Sequence, residues 1–106
     1  MKEQDLNIIK KLSQRLKRSL NIIEVILFGS RARGTNETDS DFDVCIIVED
    51  LNTTIRDLIF TIAWEISLEE GVVITPLIFK REEVQDSPIT ESPIYNTILR
   101  EGIRVE

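Results

Sequence analysis

Three carboxylates at every second position, Asp39, Asp41 and Asp43, stand directly ahead of the apolar run Val44, Cys45, Ile46, Ile47 and Val48. The run is short and rich in β-branched residues, so residues 42–49 read as a buried strand. Side chains two apart in a strand share a face, which puts Asp41 and Asp43 on one side with Cα atoms roughly 6–7 Å apart. Charges a few ångströms apart repel by about 1 kcal/mol in water and by about 4 kcal/mol where the effective dielectric nears 20. Something cationic is the natural remedy at that strand end. Carboxylate oxygens are hard ligands suited to Mg²⁺ or Mn²⁺, and magnesium takes one or two of them while phosphates and water complete its shell. The alternative is a solvated strand end with no ligand at all.

Upstream, residues 22–28 form a second short apolar run that closes on Gly29, the pattern of a buried strand ended by a residue tolerant of any backbone conformation. Residues 30–33 start a short helix, and residues 34–40 are rich in turn formers. Gly29 and Ser30 therefore sit where a strand opens into a helix, a place where unpaired amide groups favour phosphate and glycine lets a ligand approach the backbone. The two halves are complementary. One holds a phosphate through amides and the Ser30 hydroxyl, and the other holds a metal that neutralises it.

The remaining chain supplies a frame for this pair. Leu6, Ile9, Leu12, Leu16 and Leu20 recur every three or four positions, predicting an amphipathic helix over residues 4–19. Asn52, Thr53 and Thr54 offer capping oxygens ahead of a helix over residues 55–70, with Ile55, Leu58, Ile59, Ile62 and Ile66 on one face and Gly71 as its stop. Phe60, Trp64 and Leu68, four apart, make a second apolar stripe on that helix. It is either wedged between sheet and C-terminal segment or turned toward a partner. Residues 72–79 read as a third strand, which Pro76 marks as an edge or a bulge. Residues 81–85 form a helical turn, and Ser92 and Pro93 cap and start a last helix that Gly102 ends. The order is an α/β layout, a small sheet covered by helices.

Composition narrows the chemistry. A chain of 106 residues predicts one domain, 1–106, with one core. No histidine and one cysteine exclude a disulfide framework and the usual zinc sites, and remove the commonest general base. Cys45 reads as a small buried filler. No apolar run is long enough to span a membrane, and the N-terminus has no secretory pattern, so cytoplasm is the expected compartment. The net charge of −6 is uneven: residues 1–33 hold eight basic and three acidic side chains, and residues 34–106 hold five and sixteen. An acidic body disfavours broad nucleic-acid binding. The basic segment with Lys10, Lys11, Arg15, Lys17 and Arg18 is a solvated helix face or a contact for a polyanion or an acidic partner.

Phe28, Gly29 and Ser30, a ten-residue spacer, and then Asp41, Phe42, Asp43 and Val44 together resemble the signature of the DNA polymerase β-like nucleotidyltransferase superfamily. The wording GSRARGT…SDFDV is similar to the minimal nucleotidyltransferases, or MNT proteins, and ITPLIFKREE and SPIYNTILREGIRV are similar to their third strand and terminal helix. The resemblance implies a short mixed sheet flanked by helices. It further implies that Gly29 and Ser30 hold a nucleoside triphosphate, ATP, and that Asp41 and Asp43 are catalytic and bind Mg²⁺. In such proteins two ions bring the α-phosphate and an acceptor hydroxyl together as pyrophosphate leaves. Arg31 and Arg33 either add charge for phosphate or offset the aspartates. Relatives of this kind accompany a HEPN ribonuclease and silence it as the antitoxin of a toxin–antitoxin pair, by AMP transfer or by binding. The resemblance thus implies a HEPN-type protein partner and assembly with it or with further copies.

One position departs from the pattern. Active members bring a third carboxylate from the next strand, and the matching position here is Thr75. Asp39, Glu65 and Glu69 are the candidates to replace it. A module that keeps the fold and neutralises its partner by contact alone is the competing expectation.

Overall fold

The computed structural model describes residues 2–35, 39–85 and 92–105. Helix α1 (Glu3–Ser19) buries Ile9, Leu12 and Leu16 completely, with Glu3 and Asp5 in its first turn and Lys17 and Arg18 in its last, each sign suited to the adjacent end of the helix dipole. Strand β1 (Ile22–Phe28) runs into the short α2 (Gly29–Arg33), and β2 is Phe42–Val48. Asn52 caps α3 (Thr53–Glu70) by accepting from the Ile55 amide at 2.8 Å, and Gly71 closes it. Strand β3 (Ile74–Lys80), α4 (Arg81–Gln85), α5 (Pro93–Glu101) and β4 (Ile103–Val105) complete the chain.

The four strands form one sheet in the order β3-β2-β1-β4. Strands β2 and β3 are parallel, joined through α3, and the other pairs are antiparallel, since a parallel pair needs a crossover while antiparallel strands do not. This is the expected short mixed sheet flanked by helices. β3 lies at an edge, where Pro76 is tolerated.

Strand alternation divides the core in two. Val25, Leu27, Val44, Ile46 and Val48 meet the residues of α1 and α3 on one face. Ile26, Cys45, Ile47 and Phe79 meet Tyr95 and Ile98 of α5 on the other. Phe79 and Tyr95 pack edge to face with ring centroids 5.7 Å apart.

Several expectations are corrected. β4 was not anticipated, because three residues carry too little alternation to announce a strand. Gly102 makes β4 possible by space and not by dihedral: its φ is −72°, and a Cβ there would collide with the Ile98 carbonyl and the Ile26 side chain. β3 begins at Ile74 rather than at residue 72, β2 ends at Val48, and α2 begins at Gly29. Ser92 occupies the cap position of α5 without a side-chain capping bond. The C-terminal helix covers the sheet face opposite α3, so the second stripe of α3 is not wedged. Phe60, Trp64 and Leu68 are 40%, 63% and 64% exposed and border a groove of about 510 Å³ that reaches Val73, Thr75 and Pro76. Among the described residues no helix is long and apolar enough to cross a membrane.

Candidate active site

The register of the sheet brings three chain segments to one place. Phe28 pairs with Asp43 across β1 and β2, so the turn at Gly29 lies against the Asp43 side chain. Gly29 has φ +76°, and a Cβ built on it would stand 2.5 Å from Asp43 Oδ2. Only glycine meets both demands, a left-handed backbone and a carboxylate where a side chain would begin. Across the parallel pair, Asp43 stands beside Thr75, whose hydroxyl donates to Asp41 Oδ2 at 3.4 Å. Asp41, immediately before β2, is exposed; Asp43 is half-buried on the face of Cys45 and Ile47.

The electrostatics of the pair are those of an unanswered charge. Burial pushes the Asp43 carboxyl above its ordinary range, the neighbouring Asp41 pushes it further, and Arg33 pulls it back. Among the described residues neither aspartate forms an ion pair. Arg33 is exposed on α2 and pairs with Glu101 of α5 at 3.4 Å, so it borders the site without closing it. Two hard carboxylates at one strand end, one of them with its proton affinity raised by burial and a like neighbour, fit a magnesium ion that takes its remaining ligands from phosphate and water. Among the described residues no group of three acidic, cysteine or histidine side chains gathers anywhere.

Residues 8–104 match the model of the nucleotidyltransferase domain family. The chain belongs to that family. A candidate protein adenylyltransferase of Methanocaldococcus jannaschii is 41% identical over 73 residues, 68% of this chain and 72% of that protein. Three solved structures share the fold of this nucleotidyltransferase. A toxin–antitoxin complex with AMP-PNP superposes with a TM-score of 0.65 at 18% identity, over 93% of this chain and 70% of that one. A candidate minimal nucleotidyltransferase gives 0.63 at 23%, over 97% and 95%. A tri-AMPylated Shewanella oneidensis HEPN toxin in complex with an MNT antitoxin gives 0.58 at 16%, over 98% and 71%.

Within this nucleotidyltransferase the site residues expected from sequence divide. Gly29, Ser30, Asp41 and Asp43 come from the adjoining ends of β1, α2 and β2, and Arg33 is close enough to lower the proton affinity of Asp43. Arg31 departs from its expected place at the phosphate. Its side chain is 7% exposed and salt-bridged to Asp5 Oδ1 at 3.1 Å, and its Nε and Nη2 donate to the Ser40 carbonyl at 3.1 and 2.7 Å. A buried guanidinium already spent on a carboxylate and a carbonyl has no fork left for a triphosphate. Asp5 leaves only a faint signal in the sequence: it precedes Ile9 by four and so lies on the buried stripe of α1.

None of the candidate replacements for a third carboxylate joins the pair. Glu69 binds Arg15 at 2.6 Å and Lys11 at 3.4 Å in the seam between α1 and α3. Glu65 lends its field to the same arginine. Asp39 is exposed and is in no such cluster. Thr75 is the side chain present at that place. Cys45 is fully buried, and burial, followed by the charge of Glu24, pushes its thiol up to about 12, which leaves it an inert filler.

Proposed function

We propose that this nucleotidyltransferase transfers AMP from ATP to a hydroxyl of a HEPN-type protein partner, with Mg²⁺ as cofactor, and acts as the antitoxin of that partner. The observation that carries the proposal is the approach of the Gly29 backbone to the Asp43 carboxylate, because it sets a turn suited to phosphate directly against a pair of carboxylates suited to a metal. The nucleotide and the partner are suggested by what the similar proteins bind: AMP-PNP in one toxin–antitoxin complex, and an AMPylated HEPN toxin in another.

The residues divide the work as follows. Backbone amides at Gly29 and Ser30, with the Ser30 hydroxyl, bind the triphosphate; Arg33 adds positive charge at its margin; Asp41 and Asp43 hold the metal. Magnesium held by Asp41 and Asp43 would offset the negative charge that the phosphates carry. The acceptor oxygen bonds to the α-phosphorus while the bond from that phosphorus to the bridging α–β oxygen breaks. Pyrophosphate departs with the electron pair, and the hydroxyl proton passes to water at the exposed Asp41. The absence of histidine is no obstacle to transfer of this kind, which depends mainly on positioning and charge stabilisation.

Thr75 favours a second reading, a module that retains the fold and neutralises its partner by contact alone. A hydroxyl ligates metal more weakly than a carboxylate and is no base near neutral pH. Incubation with α-labelled ATP, Mg²⁺ and the protein encoded by its genomic neighbour separates the two. Label on the partner, lost in Asp41→Ala/Asp43→Ala, is the expected result. Complex formation without label would establish the contact-only module, and equal labelling by both proteins would remove the aspartates from catalysis.

A further inference from the structure

We propose that Arg31 is the positioning residue for Asp41, and that its pair with Asp5 ties the geometry of the site to helix α1. The inference rests on Asp41 and Asp43 being the metal ligands.

Asp41 precedes the first residue of β2, so the strand ladder does not itself hold it. Apart from the long bond that its carboxylate accepts from the Thr75 hydroxyl at 3.4 Å, what holds it are its two neighbours. On the far side, the Phe42 amide donates to the Val73 carbonyl at 2.8 Å. On the near side, Arg31 grips the Ser40 carbonyl with two donors, at 3.1 and 2.7 Å. The same guanidinium lies 4.2 Å over the ring of Phe42, so one side chain touches the residue before Asp41 and the residue after it.

Arg31 also belongs to α2, one position after Ser30. It therefore fixes the distance between the half of the site that would hold phosphate and the half that would hold metal. Lysine could not do this, since spanning a carbonyl, a carboxylate and an aromatic face at once needs the planar fork. Asp5 aims that fork: Nη1 donates to its Oδ1 at 3.1 Å, and both side chains are nearly inaccessible, 7% and 5% exposed. A buried pair of this kind is weak evidence for stability, because apolar residues of similar volume often replace it without loss. Its use lies in fixing where other groups stand.

That distinction supplies the test. The full-length double variant Asp5→Leu/Arg31→Met removes both buried charges together, and Arg31→Lys keeps the charge but not the fork. Three quantities are measured for each: the thermal midpoint, amide hydrogen exchange across residues 39–43 in ligand-free protein, and Mn²⁺–ATP affinity from the free Mn²⁺ resonance. The expected result is a midpoint close to wild type, faster exchange confined to residues 39–43, and affinity weaker by about tenfold or more, the usual consequence of losing a group that orients a metal ligand. Loss of protection spread evenly through β1, β2 and β3 would mean a merely structural pair and overturn the proposal. So would unchanged exchange at residues 39–43. If wild type itself takes up no Mn²⁺–ATP, the assignment of the aspartates as ligands fails, while the exchange comparison still decides whether Arg31 holds Asp41 in place.

Discussion

Two clusters of charge in this nucleotidyltransferase are built in opposite ways. Between α1 and α3, Arg15 meets Glu69 at 2.6 Å and Lys11 lies 3.4 Å from both Glu69 and Glu70. There the hydrogen bond from Arg15 holds Glu69 below its ordinary range, and the same bond raises Arg15. At the start of β2, by contrast, Asp43 is raised by burial and by Asp41. Arg15 and Glu69 favour each other's ionisation, and the surroundings of Asp43 oppose its own. Charges that hold two helices together are answered where they stand, whereas among the described residues the aspartates at the start of β2 have no ion-pair partner. Asp5 and Arg31 are a third arrangement, answered and buried, and they serve the second cluster rather than the seam.

The largest effect that could break this contrast comes from Gly29→Ala. A left-handed backbone costs an L-residue about 1–2 kcal/mol, which for a domain of this size is roughly 4–8 °C of thermal midpoint per kcal/mol. The new methyl group would also force the Asp43 carboxylate aside, so calorimetric uptake of Mg²⁺–ATP should disappear even in the fraction that stays folded. Uptake that survives would show that the turn and the carboxylate do not share a ligand.

Thr75→Asp sharpens the contrast from the other direction. A third carboxylate beside Asp41 and Asp43 should lower the thermal midpoint without metal and raise Mn²⁺ affinity by about tenfold, as added ligand charge does in hard-cation sites. A variant that is both less stable and no better at binding would place the metal elsewhere.

Asp43→Asn gives a smaller change, with a definite sign. Because the folded protein raises the proton affinity of Asp43, its contribution to stability is present while it is protonated and is lost as pH rises through its folded value. The amide should therefore melt above wild type at neutral pH, and the difference should vanish by about pH 3, below the usual carboxylate range. A variant less stable than wild type at pH 7 would contradict the electrostatic account. Glu69→Gln should do least. It lowers the midpoint slightly at low salt and above the carboxylate range, and the difference fades at high salt, as exposed ion pairs are screened.

Much of this architecture was legible in the sequence where the signal is local. The stripe Ile9, Leu12, Leu16 announced α1, the run ending at Gly29 announced β1, and the apolar run after Asp43 announced β2. The sheet order was not legible, since pairing of β1 with β4 joins Val25 to Val105 across most of the chain. Arg31 was misplaced for the same reason. Its neighbours in sequence are site residues, but the partner that turns it inward is Asp5, 26 positions earlier. Asp5 itself left a faint trace, an acid in register with a buried stripe. The exposed stripe of α3 was visible as a pattern. Which face of the sheet α5 would cover depended on the chain's return after α4, which no local pattern encodes.

The chain's single tryptophan, Trp64, projects from α3 with most of its surface in water. Indole emission shifts to shorter wavelength when water is stripped from the ring. Fluorescence excited at the red edge of its absorption band therefore reads one location only, the outer surface of α3, with no dye attached. A spectrum that moves when another macromolecule is added records coverage of that helix, while one that stays put through nucleotide titration shows that the indole and the aspartates are probed separately.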